Sequence, residues 1–352
     1  MKKKDRNWTD LYTPLHPLKD LEDFRSDDDR EVIGDRRDGK LYRYTKQIKL
    51  CVNIALATGR PLLVLGTSGC GKSSLAFNLA RALKRRYYEF VVTSRSQAKD
   101  LFYRFDAVRR LANAYTGREP QAAKPDNESI WSTQYPYIEP GPLWWIFHRE
   151  SAKRRGYSDA GEVGFPLAVD PVRWPPQVSE ETSTVLLSDE ADKVSERASA
   201  VLLIDEIDKA EPDFPNNLLV PLGSHQFMLE EIAKVIKLRD TGHDHSVENT
   251  PLVIITSNRE RELPEAFIRR CVVLEIADPS IDELVEIATA VTGKQQNSFF
   301  REIAEKIVGL NGGRGLSIAE FLDAIHAIEK LNAKEQLLAE ILRSTTWRSR
   351  ES

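Results

Sequence analysis

The sequence predicts an α/β protein in which helices cover both faces of a parallel β-sheet, followed by a small all-helical region. Two observations lead to this fold class. Short, continuous apolar runs alternate with stretches of helical periodicity, as buried parallel strands and their crossover helices do. From about residue 278 onward only helical periodicity remains. The candidate strands are residues 61–65, 88–93, 201–204, 252–256 and 272–276.

Several helices are marked by their ends. A run of helical periodicity that begins near residue 46 closes at Gly59, a residue typical of helix C-termini. Two serines are each followed three residues later by a glutamate, Ser280 by Glu283 and Ser317 by Glu320. This spacing is a capping box, in which each side chain bonds the other residue's backbone N–H. The pairs therefore predict the starts of two helices in the C-terminal region.

Composition and charge are those of a globular protein with a buried core. Of 352 residues, 41% are hydrophobic and 30% are charged. The formal net charge of -4 argues against a protein whose main contact is the phosphate backbone of nucleic acid, although a local basic patch stays possible. Two basic runs, residues 84–86 and 153–155, are interpreted as exposed helix faces.

Cysteine usage and the N-terminus bear on the compartment. Cys51, Cys70 and Cys271 lie far apart without a CxxC pair, so neither a zinc site nor a disulfide framework is predicted. The N-terminal residues lack the apolar stretch of a signal peptide. No apolar run approaches the roughly 18 residues that a membrane span requires. We therefore expect a cytoplasmic protein without membrane segments.

Composition also divides the chain into three parts. Residues 1–44 are polar and charge-dense and are expected to form an N-terminal arm. Residues 45–277 form the α/β core, interrupted at about 114–184 by a segment with nine of the 18 prolines and four of the six tryptophans. Because disordered segments are poor in aromatic residues, we expect this irregular insertion to be anchored by packing, with a docking surface as the alternative. Residues 278–352 form a helical lid and tail.

A glycine-rich loop joins the first candidate strand to a helix. Residues 66–73 fit G-x-x-x-x-G-K-[ST] at every fixed position. In this motif backbone N–H groups and a helix N-terminus face phosphate oxygens, while Lys72 reaches the β- and γ-phosphates and Ser73 binds Mg²⁺. The fold class is therefore that of P-loop NTPases. The predicted nucleotide-binding residues are Gly66, Thr67, Ser68, Gly69, Cys70, Gly71, Lys72, Ser73 and Ser74.

An acidic pair follows the third candidate strand. P-loop enzymes hold Mg²⁺ with a carboxylate at the end of a neighbouring strand, and Asp205 stands there. Glu206 is predicted to be the general base that polarises the attacking water. A near-copy at 185–193 matches residues 201–209 at seven of nine positions, but it has serine and alanine where the second copy has isoleucine. We assign the function to the second, more apolar copy; the first is predicted to be a surface strand or helix.

The ordered set of motifs resembles AAA+ ATPases over roughly residues 46–331, and in particular their MoxR-like branch, which is related to dynein-type and magnesium-chelatase-type modules. The resemblance implies ATP as the nucleotide and a sensor-1 role for Asn258. It implies an arginine finger at Arg270, with Arg269 as the competing candidate because it stands where the branch usually has aspartate. Arg314 matches the sensor-2 arginine of the lid.

The function that this resemblance implies is a ring, expected to be a hexamer, that hydrolyses ATP with Mg²⁺ at its subunit interfaces. Its hydrolysis would remodel or activate a protein client in a chaperone-like way. A von Willebrand A-domain partner would be a separate protein, because this chain lacks a D-x-S-x-S motif. One alternative is an ATP-dependent assembly switch in a defence or signalling system. Another is a DNA-associated motor, against which the net charge weighs.

Overall fold

The computed structural model describes residues 42–117, 134–157, 165–173, 199–238, 250–310 and 317–331. Several sequence predictions fall wholly or largely outside these ranges: the N-terminal arm, much of the insertion at 114–184, the near-copy at 185–193, the sensor-2 candidate Arg314 and the tail from residue 332 onward.

Strands and helices alternate along the described residues. The strands are β1 (Leu62–Leu65), β2 (Arg86–Val91), β3 (Tyr103–Phe105), β4 (Ile138–Pro140), β5 (Ala200–Asp205), β6 (Gln226–Leu229), β7 (Lys234–Lys237), β8 (Leu252–Ser257) and β9 (Val272–Glu275). The helices are α1 (Lys46–Thr58), α2 (Lys72–Ala82), α3 (Lys99–Phe102), α4 (Ala107–Thr116), α5 (Pro142–Phe147), α6 (Arg149–Lys153), α7 (Asp213–Asn217), α8 (Leu219–Ser224), α9 (Glu265–Ile268), α10 (Ile281–Thr292), α11 (Asn297–Leu310) and α12 (Ile318–Lys330).

Five strands form one parallel sheet in the order β2-β5-β8-β1-β9. Each of the five apolar runs predicted as strands contributes to it, although β2 begins two residues earlier than its run suggested. Because all five strands are parallel, their carboxyl ends meet at a single edge of the sheet. That edge holds the residues that follow β1, β5 and β8. Two antiparallel pairs, β3 with β4 and β6 with β7, lie outside this sheet.

The sheet is buried on both faces, as predicted. Alternate residues of each strand point to opposite sides. Leu62 and Ile254 belong to a cluster that includes the buried residues of α1 and α2. Leu63 and Ile255 belong to a second cluster that includes α5 and α7. This two-sided burial accounts for the continuous rather than alternating apolar runs in the sequence.

The proline- and tryptophan-rich insertion is anchored in the core where it is described. Trp144 and Trp145 of α5 are 0% and 1% exposed. The segment is more regular than expected there, since it contains α5 and α6. Arg173 near its end donates its N–H to the Tyr87 carbonyl and so bonds the edge strand β2. For these two tryptophans packing, rather than a docking surface, explains the composition.

The prediction that both basic runs are exposed was wrong for three arginines. Arg85, Arg86 and Arg155 are all at least 92% buried. Arg85 donates to the Thr250 carbonyl at 2.8 Å, and Arg155 donates to the Pro166 carbonyl at 3.1 Å. A buried guanidinium is tolerated where carbonyl oxygens replace water, and such partners lie too far away in sequence for periodicity to reveal them.

The C-terminal helices α10, α11 and α12 share a core of their own, built around Phe300, Ile303 and Phe321. Both capping boxes predicted for this region are formed, with the serine hydroxyls accepting the N–H of Glu283 and of Glu320. No helix within the described ranges is both long and apolar enough to cross a bilayer.

Candidate nucleotide-binding and catalytic site

The phosphate loop runs from the end of β1 to the start of α2. Gly69 and Gly71 have φ of +77° and +94°, values that side chains other than glycine rarely adopt. Gly71 is the N-cap of α2 and offers no side-chain oxygen to the first helical N–H groups. Those N–H groups therefore remain available for an anion at the positive end of an 11-residue helix. The local geometry is that of a phosphate cradle.

Lys72 lies within this loop and is only 6% exposed. Its ammonium group donates to the carbonyls of Gly66 at 3.0 Å and Thr67 at 2.6 Å. The loop is thus closed around a buried cation. Cys70 is also buried, and burial raises the pKa of its thiol. The thiol is consequently neutral at physiological pH and leaves Lys72 as the charge of the loop.

Ser73 and Asp205, which lie 132 residues apart in sequence, are brought together by β5 and α2. The Ser73 hydroxyl donates to Asp205 Oδ1 at 2.7 Å, and Asp205 is 1% exposed at the end of β5. The prediction that these two residues would converge is supported by this geometry. Hydroxyl and carboxylate oxygens are the hard ligands that Mg²⁺ prefers, so the pair fits that ion.

Thr256 is a residue of this site that sequence reasoning missed. Its buried hydroxyl donates to Asp205 Oδ1 at 2.6 Å and accepts the N–H of Glu206 at 2.8 Å. Thr256 therefore links β8 to both acidic residues. The only signal in the sequence was a hydroxyl at the polar end of an apolar run.

Glu206 follows β5 in a strained conformation. Its φ of 61° and ψ of 51° lie in the left-handed region, which is uncommon for a residue with a side chain. Strain of this kind concentrates at functional sites, where the surrounding structure enforces it. The strained turn aims the Glu206 carboxylate at Asn258, whose side-chain amide donates to Oε1 at 3.3 Å. The sensor-1 candidate and the catalytic-base candidate are therefore in contact.

Two further residues organise this carboxylate and its neighbours. The Lys209 ammonium binds Glu206 Oε2 at 2.6 Å, and the hydrogen bond raises the pKa of Lys209. Asp208 is 2% exposed, and its Oδ2 accepts the N–H of Asn258 at 3.1 Å and of Glu260 at 2.9 Å. Asp208 thus fixes the backbone of the sensor-1 candidate.

The C-terminal helical region touches the phosphate loop. A Cβ placed on Gly69 would lie 2.8 Å from the Cβ of Ser317, the N-cap of α12. Thr67 also donates to Asp278, just before α10, at 2.5 Å. Ser317, three residues after Arg314 in the sequence, therefore lies at the loop, while Arg314 itself is outside the described residues.

The two finger candidates lie elsewhere. Arg269 and Arg270 lie two to three residues before β9, and so they occupy the edge of the parallel sheet opposite the phosphate loop. Arg269 pairs with Glu265 at 2.5 Å, and both of these side chains are more than 70% exposed. Arg270 donates only weakly, to the Ala266 carbonyl at 3.4 Å. The structure therefore does not bring these arginines to the site formed by Lys72 and Asp205.

Comparisons with known proteins agree with the phosphate-loop geometry. The family model for the AAA domain (dynein-related subfamily) matches residues 61–125, a segment that contains β1, the phosphate loop and α2. Over this segment the chain is similar to AAA domains of the dynein-related subfamily. No curated protein sequence matches this one at a significant level.

Among solved structures, the chain is similar to the RuvB Holliday junction branch migration motor of Thermotoga maritima, at 13% identity and a TM-score of 0.37 over 85% of this chain and 66% of that one. Two point mutants of that protein each show 14% identity and a TM-score of 0.40. They cover 85% and 89% of this chain, and 67% and 69% of their own. The chain thus spans about two thirds of the RuvB chains. The function of RuvB is therefore not transferred to this chain.

Proposed function

We propose that this protein is an AAA-type ATPase that works as a ring, expected to be a hexamer, in which each ATP lies between two subunits. Hydrolysis would remodel or activate a protein partner, as in the MoxR-like branch that the sequence resembles. The observation that carries the proposal is the separation of the site into two parts. The phosphate-binding and acidic residues meet at one edge of the sheet, while the two finger candidates lie exposed at the other edge.

Strand geometry makes this separation rigid. Arg270 lies before the first residue of β9, and Glu275 at the end of β9 pairs in register with Leu65, next to the phosphate loop. Four residues of strand place these ends roughly 10 Å apart. An arginine finger contacts the transferring phosphoryl group directly. A finger on this surface therefore serves a nucleotide held by a neighbouring subunit.

Within one subunit the residues have complementary tasks. Lys72 and the start of α2 bind the phosphates, and Ser73 with Asp205 would hold Mg²⁺, which neutralises charge that develops on the phosphate oxygens. Glu206 orients and polarises the attacking water, and Asn258 fixes the Glu206 carboxylate by its amide.

Between the two finger candidates, the ion pairs favour Arg270. Arg269 is held by the Glu265 carboxylate, whereas no carboxylate among the described residues pairs with Arg270. Moving Arg269 to a phosphate would first require that its ion pair be broken. For the lid, we propose Arg314 as the sensor-2 arginine, which responds to the γ-phosphate. The support is that helix α12, which follows it in the sequence, starts against the phosphate loop.

We further propose a core of residues 45–277 and a lid of residues 278–352, with a protein client or a separate von Willebrand A-domain protein as the partner. The formal net charge of -4 favours a protein partner over nucleic acid. DNA-stimulated turnover that weakens with added salt would overturn this choice of partner.

Light scattering after size-exclusion chromatography tests the ring directly. Glu206→Gln keeps nucleotide binding and blocks turnover, so it should form a ring with ATP and not without it. Glu206→Gln combined with Arg270→Ala should form a looser ring or none, while Glu206→Gln combined with Arg269→Ala is the matched control. A monomer of all three variants in ATP would refute the ring.

A further inference from the structure

Arg60 connects the finger candidates to the central sheet. Its guanidinium donates to three successive backbone carbonyls: to Arg269 at 2.5 Å, to Arg270 at 3.1 Å and to Cys271 at 2.8 Å. These residues form the turn between α9 and β9. One side chain thus binds the whole backbone segment that carries both arginines.

The physical reason lies in the turn after α9. The carbonyls of residues 269–271 follow the last residue of this helix, so no further helical N–H group is available to them and they need another donor. A guanidinium is a rigid, permanently charged fork with five N–H donors, so it can bind several of these oxygens at once. A lysine ammonium at the same place is a single point charge and does not fix their relative positions.

The surroundings show why this bond matters. A cavity of about 280 Å³ adjoins the turn, and Arg60, His225, Phe267, Arg269 and Arg270 are among its lining residues. The turn is therefore not packed firmly on this side. Without Arg60 it has space into which it can relax, and the side chains of both arginines would move with it.

Arg60 also stands at the start of the strand that ends in the phosphate loop. Pro61, the next residue, accepts the N–H of Val272 at 2.8 Å, where β9 begins beside β1. The finger-bearing turn is consequently fixed to β1, the strand that also leads into the subunit's own nucleotide site.

We propose that Arg60 is a positioning residue for the arginine finger: it holds the backbone of residues 269–271 so that the finger reaches the nucleotide of the neighbouring subunit. This inference rests on the proposed function, because it assumes a ring in which one of these arginines acts across an interface. Arg60 precedes β1 and so lies at the sheet edge opposite the phosphate loop, from which it acts through residues 269–271.

Kinetics of Arg60→Met give the first test. A finger in P-loop NTPases is worth about 10³–10⁵ in rate, and a misplacement of about 1 Å in a catalytic group costs on the order of 10². We expect kcat to fall roughly 10- to 100-fold while KM for ATP stays within about twofold. Arg60→Lys should recover only part of the loss. Full recovery by lysine would contradict the role of the fork.

Mixed rings distinguish action across the interface from damage within one subunit. Arg60→Met subunits keep an intact Glu206, and Glu206→Gln subunits keep an intact finger. Each interface joins different patches of two neighbours, so it needs an intact Glu206 from one subunit and an intact finger from the other. In doubly tagged rings co-expressed in equal amounts and mixed at random, each condition is met about half of the time, so about one interface in four combines both intact parts. Activity should therefore rise to about a quarter of the wild-type value, well above either parent.

Arg85→Met is the matched control, since Arg85 also donates to a backbone carbonyl, that of Thr250, which lies outside the finger turn. It should lower thermal stability and leave mixed rings no more active than the average of their parents. Mixed Arg60→Met rings without recovery would overturn the proposal. Wild-type protein without a ring or ATP turnover would instead refute the proposed function, so the two failures can be told apart.

Discussion

Replacement of Thr256 by valine removes one hydroxyl and nearly preserves the shape of the side chain. Thr256 is 0% exposed, and its hydroxyl is placed between Asp205 and the N–H of Glu206. The substitution therefore takes a donor from a buried carboxylate and leaves a backbone N–H without its acceptor. Asp205 keeps the Ser73 hydroxyl as a partner.

The magnitude follows from these two contacts. A hydrogen bond to a charged group contributes about 1.5–3 kcal/mol, and an unsatisfied buried N–H costs about 1–3 kcal/mol. Because the two effects share one hydroxyl and do not simply add, we expect a loss of about 2–4 kcal/mol in the free energy of unfolding. This corresponds to a fall of roughly 4–10 °C in Tm. Turnover should fall as well, since the same hydroxyl supports the strained backbone of Glu206.

Thermal and urea unfolding of Thr256→Val and Thr256→Ser, together with ATP turnover, provide the assay. Serine keeps the hydroxyl and loses a methyl group, which costs about 1 kcal/mol. The valine variant should be the less stable and the less active of the two. Equal stability and equal turnover in both variants would refute the reasoning, because the hydroxyl would then contribute nothing that the methyl group does not.

Two further predictions concern stability. Gly69→Ala should lower Tm, because a φ of +77° strains alanine and the added Cβ would lie 2.8 Å from Ser317. The control Gly309→Ala on α11 meets no atom within 4 Å and should raise the free energy of unfolding by about 0.5–1 kcal/mol. Calorimetric scans in which both variants shift Tm in the same direction would contradict this prediction. Burial raises the pKa of Cys271 from 9.0 to about 12, so the thiol stays protonated in the folded protein while it ionises in the unfolded one. The contribution of this thiol to stability is complete below pH 9 and is lost as the pH rises towards 12. In Cys271→Ala, the free energy of unfolding should therefore fall less steeply between these pH values. An unchanged slope would show that Cys271 does not cause the pH dependence.

Local sequence patterns were sufficient for the main elements of the fold. Buried parallel strands produce continuous apolar runs, and both capping boxes combine serine and glutamate within one helical turn, so each signal is contained in a few neighbouring residues. The phosphate loop is also contiguous, since residues 66–73 carry the glycines, the lysine and the hydroxyl together. Asp205 and Glu206 were found because they end such a run.

Residues that act through distant partners were not predictable in this way. Thr256 meets Asp205 across 51 positions, and Arg60 meets the turn at 269–271 across more than 200. The prediction that Arg85 and Arg155 are exposed was wrong for the same reason. A charged side chain is expected to be exposed unless it has buried partners, and the carbonyl partners of these arginines were not evident from the sequence.

The α/β fold, the phosphate-loop motif and the acidic pair were predictable from the sequence, because the signal for each lies in a few consecutive residues. How these parts are oriented depends on contacts between distant strands. The parallel order β2-β5-β8-β1-β9 brings Ser73, Asp205, Glu206 and Asn258 to one edge of the sheet and leaves Arg269 and Arg270 at the other. The physical reason is that strand pairing is a long-range contact, whose register sets which side chains meet.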